Sequence, residues 1–348
     1  MGTLRFVVAG LVAGATTTWA RRRLDQAVRD GSLKRVHERV ATPEAWTRTN
    51  HRGEPISLLE GPAVAAGLVA GAVAAGGPAA GPVAFATAAA GAFGVVDDVA
   101  EDQATAAKGL RGHLGALARG QVTTGGLKVL GIGGAALLAA AAGTPGRTPG
   151  APGRGSGPGR LADVAINGAL IAGTANLMNL FDLRPGRALK AAALASVAAG
   201  FAPGPAGFGS GPGQAAGSGT GALTGALLGA GLAAAPADLG ERDMLGDGGA
   251  NALGALVGSQ IAFGAPRPVR IAALAGVVGL TLASEKVSFS RVIRETPWLN
   301  RIDMLGRRPV DNEVRPATTS LPGIGRVSPA ETSWSPGIAR SRPPGAAR

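Results

Sequence analysis

The sequence predicts an all-α, polytopic transmembrane helix bundle of about nine spans, and three observations carry that prediction. Only 16% of the 348 residues are charged, against about 25% in a usual soluble domain. Hydrophobic residues make up 46% and aromatic residues only 3%, so Ala, together with abundant Gly, supplies most of the apolar character, and such small residues let membrane helices approach closely. Apolar runs of roughly 17–25 residues, the length a bilayer requires, recur along the chain between polar or Gly/Pro-rich segments.

The runs fall at 3–20, 61–77, 78–96, 125–143, 161–181, 188–203, 214–236, 249–265 and 268–285. The first could be mistaken for a signal peptide, which carries its charge ahead of the apolar core. Here Arg5 stands alone and Arg21-Arg22-Arg23 follow the run. That order predicts a retained span with the N-terminus outside and the arginines in the cytoplasm. Gly77-Pro78 joins the second and third runs as a tight hairpin. Alternation then places residues 21–60, 97–124, 182–187, 237–248 and 286–348 inside, with 144–160 and 204–213 outside. Domain organisation follows: residues 1–308 form the membrane domain, 144–160 a flexible external loop rich in Pro, Gly and Arg, and 309–348 a basic, Pro-rich cytoplasmic tail predicted to be disordered.

The formal charge of +12 raises nucleic acid as a partner. The basic residues lie in blocks beside the spans, without aromatic interleaving or any nucleic-acid-binding motif. Positive-inside bias and contact with anionic lipid or a phosphorylated substrate account for them, and nucleic acid is excluded. Cys is absent and His numbers three, which removes disulfides, thiolate chemistry and Cys-based zinc sites. A metal would therefore take oxygen ligands, which favours Mg²⁺ or Mn²⁺. Heavy use of Ala, Gly, Pro and Arg points to a high-GC bacterial genome.

Three acidic motifs sit where apolar runs meet loops, and carboxylates near hydrocarbon mark functional sites by default. Asp97 and Asp98 end the third run, with Glu101 and Asp102 following; adjacent carboxylates repel unless a cation or proton intervenes. Asn176, Asn179 and Asp182 recur at i, i+3 and so share a helical face. Asp247 lies in Leu245-Gly-Asp-Gly-Gly at the start of a run, where glycines permit close approach and free amides face an anion. Each has a plainer reading: a solvated turn for the Asp pair, interhelical hydrogen bonding for the Asn residues, and a simple turn at Asp247. All three fall on the predicted cytoplasmic side, as a shared site requires.

Taken in order, these motifs make the chain resemble the polyprenyl-phosphate N-acetylhexosamine-1-phosphate transferase family, which includes the phospho-N-acetylmuramoyl-pentapeptide transferases. That family has an Asp-Asp motif after an early span, then Asn-x-x-Asn-Leu-x-Asp, then Gly-Asp-x-Gly. Lys108-Gly-Leu-Arg111-Gly-His113 also resembles its Lys-Gly-Leu stretch, and Asn50 to Pro62 lies where its first substrate loop does. The resemblance covers roughly residues 40–310. It implies transfer of a sugar-1-phosphate from a UDP-sugar to polyprenyl phosphate, with release of UMP, at the cytoplasmic face of the bacterial inner membrane. It implies Mg²⁺ or Mn²⁺ held by Asp247 and Asp98, and Asp97 or Asp98 as the group that binds or deprotonates the lipid phosphate. Asn176, Asn179 and Asp182 would serve the uridine side or the metal, and Lys108, Arg111, Arg48 and Arg52 the phosphates. A homodimer is also implied, although no residue here argues for one.

The chain departs from the family in three respects, the first being that nine spans are one or two fewer than its members typically have. Its middle motif continues Asp182-Leu-Arg184-Pro185-Gly-Arg187 and lacks the family's second Asp; Arg184, Arg187 and Lys190 put positive charge there, suited to a phosphate. The family's late His-x-His motif is missing from residues 286–309, which points away from a muramoyl-pentapeptide donor and toward a divergent member. The alternative is an inactive relative acting as a lipid-phosphate-binding or scaffold protein of the envelope. A transporter would show internal repeats, and none is found.

Overall fold

A computed structural model describes residues 2–35, 42–100, 124–145, 157–201 and 218–309. Among them are eleven α-helices and one two-stranded sheet. The longer helices are α1 (Gly2–Arg29), α2 (Glu60–Ala75), α3 (Ala80–Ala100), α4 (Thr124–Gly143), α5 (Gly157–Phe181), α6 (Arg187–Phe201), α7 (Ser218–Asp238), α8 (Gly246–Gly264) and α9 (Arg267–Ser284); α10 (Phe289–Glu295) and α11 (Pro297–Met304) are short. Each of the nine apolar runs in the sequence coincides with one of α1–α9. Five of these, α3, α4, α5, α7 and α9, are long and apolar enough to cross a membrane by length and composition. The start of α5 at Gly157 lies inside the segment read from sequence as a loop. Residues 146–156 of that loop and residues 310–348 lie outside the described residues.

Helix α8 is the axis of the bundle. Nearly every residue from Gly246 to Phe263 is buried, and α3, α5, α2 and α6 pack around it. Such a helix is buried on all sides only if its neighbours come close. Gly254 lies against the backbone of Thr174 and Ala175, and Gly258 against that of Leu170 and Ile171, leaving no room for a Cβ. The same device joins α1 to α7: a Cβ on Gly10 would sit 3.0 Å from Gly225 O, and one on Gly14 3.0 Å from Gly229 O. Both helices thus carry small residues four apart at a backbone contact. Between α6, α7 and α8 the buried Ser196 donates to Gln260 Oε1 at 2.7 Å, and Gln260 Nε2 donates to Thr224 Oγ1 at 2.8 Å. Away from the acidic motifs, Arg270 donates to Asn167 (2.7 Å) and Asn167 to Thr144 (3.0 Å), tying α9, α5 and the end of α4. Helix α9 otherwise buries only Val277, as expected for a helix whose surroundings are apolar.

The connection from α1 to α2 carries the sheet, which the all-α expectation did not include. Strands β1 (Thr47–Thr49) and β2 (Pro55–Ser57) pair antiparallel. Their turn is held by Asn50 Oδ1, which accepts from the backbone N–H of Arg52 and of Glu54, both at 2.9 Å. Strands of three residues are too short to produce a readable alternation, and the hairpin is fixed by tertiary contacts: Trp46 buries against Val28, Leu58 and Leu59, and Leu58 N–H donates to Trp46 O at 2.8 Å.

Helices α10 and α11 dock on the same end through charge. Arg187 donates to both oxygens of Asp303, Nε at 2.7 Å and Nη2 at 3.1 Å, and Arg307 reaches Asp303 Oδ2 at 3.0 Å. Lys190 donates to the Asp303 carbonyl at 2.6 Å, Phe289 stacks on Phe181 at 5.1 Å, and Arg308 pairs with Glu54 at 2.6 Å. Burial alone would raise the Asp303 carboxyl. The hydrogen bond from Arg187 and the charges of Arg187, Arg307 and Lys190 outweigh it and hold the group below its ordinary value. A depressed carboxyl contributes stability above its unfolded pKa and loses it as pH falls through the folded one. Acidification is therefore expected to release α10 and α11 before the bundle unfolds, seen as faster amide exchange at 289–304 as pH falls below about 4, whereas Asp303→Asn should exchange fast at every pH.

Candidate active site at one end of the bundle

Two of the three acidic motifs meet directly. Gly94, one turn before Asp98, lies so close to the backbone of Asp247 and Gly248 that no side chain would fit. Gly246 opens α8 at φ +56°, a conformation that suits glycine. The approach brings the Asp98 carboxylate onto the start of α8, where it accepts from the N–H of Asp247 at 3.0 Å and of Gly248 at 2.9 Å. These are amides that a helix start leaves without intrahelical partners, and a carboxylate there also meets the positive end of the helix dipole. Arg48, on β1, donates to the Asp98 main-chain oxygen, which couples the hairpin to the end of α3.

Lys128, in the first turns of α4, ties the remaining two carboxylates together. Its ammonium lies 3.3 Å from Asp97 Oδ2 and donates to Asp247 Oδ2. The sequence reading passed over Lys128 as part of an apolar run; a charge inside such a run is itself the signal for a functional group. Asp182 follows α5 directly, with the Gly246 N–H facing its carboxylate, and its Oδ2 is buried with no hydrogen-bond partner among the described residues. Asn179 is half-buried one turn earlier, while Asn176 is exposed, so the shared face of the middle motif turns from the surface toward the site along its length.

The predicted basic contacts divide. Arg48 joins the site. Arg52 pairs with Glu241 at 3.1 Å and Arg187 is closed into its pair with Asp303. Arg184 is half-buried on the turn between α5 and α6. Lys108 and Arg111, with Glu101 and Asp102, lie outside the described residues. The sequence reading also missed a second acidic group at this end. Asp238 accepts from Gly186 N–H at 3.2 Å, Asp243 accepts from Arg21 at 2.7 and 2.8 Å, and Glu60 and Glu241 are buried. These residues read in sequence as ordinary loop and helix-end carboxylates.

Among the described residues no three acidic or His side chains converge on a point at metal-ligand spacing. The donor set still suits a hard cation: Asp97 and Asp247 hold a positive charge between them, here the Lys128 ammonium, and Asp182 keeps an orphaned buried oxygen nearby. Asp98 stands differently, since each of its oxygens already accepts a backbone hydrogen bond. No family model matches the sequence, and no curated protein matches it. Asp98→Ala strips two amides of their acceptor, at about 1–3 kcal/mol each for a buried donor, so thermal unfolding in detergent should fall clearly for this variant and much less for Asp97→Ala.

Proposed function

We propose that the chain is an integral membrane enzyme of nine spans in the bacterial cytoplasmic membrane, N-terminus outside. It transfers a sugar-1-phosphate, N-acetylhexosamine-1-phosphate, from a UDP-sugar to polyprenyl phosphate and releases UMP at the cytoplasmic face. The observation that carries this reading is the Lys128 ammonium between Asp97 and Asp247, beside Asp98 bound to the start of α8. Residues from two separated motifs and from α4 thereby build one compact charged centre at the start of α8. In the reaction a lipid phosphate oxygen forms a bond to the sugar-bearing phosphorus while the bond from that phosphorus to the UMP oxygen breaks.

Because both Asp98 oxygens are occupied by amides, Asp98 sets the position of the Gly-Asp-Gly-Gly turn, and Asp97 is the carboxylate able to take a proton from the lipid phosphate. Lys128 stabilises charge that grows on the transferring phosphate and the departing UMP. Mg²⁺ or Mn²⁺, held by Asp247 with Asp97 or Asp182, would neutralise the diphosphate and polarise it. Arg48 keeps the end of α3 in place and Asn179 borders the site. A second reading, a lipid-phosphate-binding scaffold without turnover, is favoured by one observation: Arg187, on the middle motif, is already neutralised by Asp303.

Purified protein with UDP-N-acetylglucosamine, undecaprenyl phosphate and Mg²⁺ is expected to release UMP only when both lipid and metal are present. Chelation should abolish release, and Asp247→Asn or Lys128→Met should lower it by about a hundredfold or more. Lipid phosphate binding without UMP from any of a panel of UDP-sugars would replace this reading with the scaffold.

A further inference from the structure

We propose that a cavity between α1, α2 and α7, apart from the centre described above, binds the alkylammonium group of an aminophospholipid headgroup, with Glu60 as its counter-ion. The cavity has a volume of about 150 Å³ and is lined by Thr17, Thr18, Arg21, Arg22, Glu60 and Asp243, with alanine methyls of α2 and α7 forming the rest of its wall. Glu60 is 2% exposed, and neither carboxylate oxygen has a hydrogen-bond partner among the described residues; the Thr17 hydroxyl is also buried without one. A carboxylate in that position is costly unless something positive meets it. The guanidinium nearest to hand, Arg21, is already committed in bidentate fashion to Asp243, and Asp238 and Asp182 add negative charge around Glu60. A bound cation would offset this negative charge.

Size and lining select its chemistry. A volume of 150 Å³ is about five waters' worth, far more than a bare ion fills. Mg²⁺ asks for six oxygens in octahedral order, and this wall offers mostly methyl groups. An ammonium on a short alkyl stem satisfies both surfaces, its N–H groups toward Glu60 and its methylenes against the alanines. The position selects the source. Thr18 and Arg22, both lining the cavity, are exposed on α1, next to Trp19, which is exposed with the Arg23 guanidinium 5.9 Å over its ring. Trp and Arg at the end of an apolar helix mark the headgroup level, and the exposed Leu4, Val7 and Leu11 of the same helix belong to the hydrocarbon. Arg22 is placed for the headgroup phosphate.

The test compares thermal unfolding of the full chain in phosphatidylglycerol nanodiscs with and without phosphatidylethanolamine. A ligand that binds the native state raises the midpoint, here by roughly 5 °C, and the rise should vanish in Glu60→Gln. Ala63→Leu, which fills the cavity while keeping Glu60, should abolish it independently and should lose the phosphatidylethanolamine retained by wild type in native mass spectrometry. Free ethanolamine at millimolar concentration stabilising as well as the lipid would overturn the headgroup assignment. No rise in wild type, an equal rise in Glu60→Gln, or the same rise from KCl alone would overturn the site itself.

Discussion

The carboxylate of Asp98 caps a helix to which it does not belong, and the arrangement of the bundle depends on that contact. Helix α8 is buried on all sides, so its first amides cannot turn to water, and its own sequence offers no side chain to receive them. Asp98 supplies the acceptor from the end of α3. For it to arrive, α3 must reach the backbone of α8, which is why Gly94 stands where a Cβ would collide with the Asp247 main chain and Gly248 where one would meet the Val95 side chain. Once the two ends are joined, Asp247 projects toward α4, and Lys128 neutralises it together with Asp97. The charged centre is thus a consequence of how a fully buried helix is started.

The same economy of small residues sets the rest of the packing. Ala and Gly give little apolar area per residue, and lipid tails are as apolar as the side chains, so close van der Waals contact and buried hydrogen bonds hold such helices together. The Gly10/Gly14 contact with Gly225/Gly229 provides the first, and the Ser196–Thr224–Gln260 cluster the second. Charge is then confined to the bundle ends. Arg187 and Asp303 anchor α10 and α11, Arg21 and Asp243 anchor α1 to the α7–α8 loop, and Arg308 with Glu54 joins the segment after α11 to the hairpin. The hydrogen bonds from Arg308 and Asn50 hold the Glu54 carboxyl down to about 2, so that contact persists at mildly acidic pH.

Much of this was legible in the residues. Hydrophobic runs mark α1–α9, five of which are long and apolar enough to cross a membrane, where a backbone must satisfy its own hydrogen bonds as helix. The Asp pair and Gly-Asp-Gly-Gly were recognisable as run ends, and they do meet. What could not be read were partners far apart in sequence: Arg187 with Asp303, Arg52 with Glu241, and Lys128 with two acids. A charge's partner is fixed by packing, which no local pattern encodes. Glu60 was invisible for the same reason, since its burial follows from α1 and α7 closing over the start of α2. The hairpin at 47–57 escaped because three-residue strands leave no periodicity.

The junction of α3 with α8 is the claim on which the account stands, and the absence of cysteine from the chain makes it directly testable. A Cβ built on Gly248 would lie 2.6 Å from Val95 Cγ2, so thiols at these positions fall within disulfide reach. The double variant Val95→Cys/Gly248→Cys, oxidised mildly in native membranes, is expected to form an intramolecular cross-link that joins the fragments holding α3 and α8 after proteolysis. Two free thiols after oxidation, in protein that still resists unfolding as wild type does, would contradict the account.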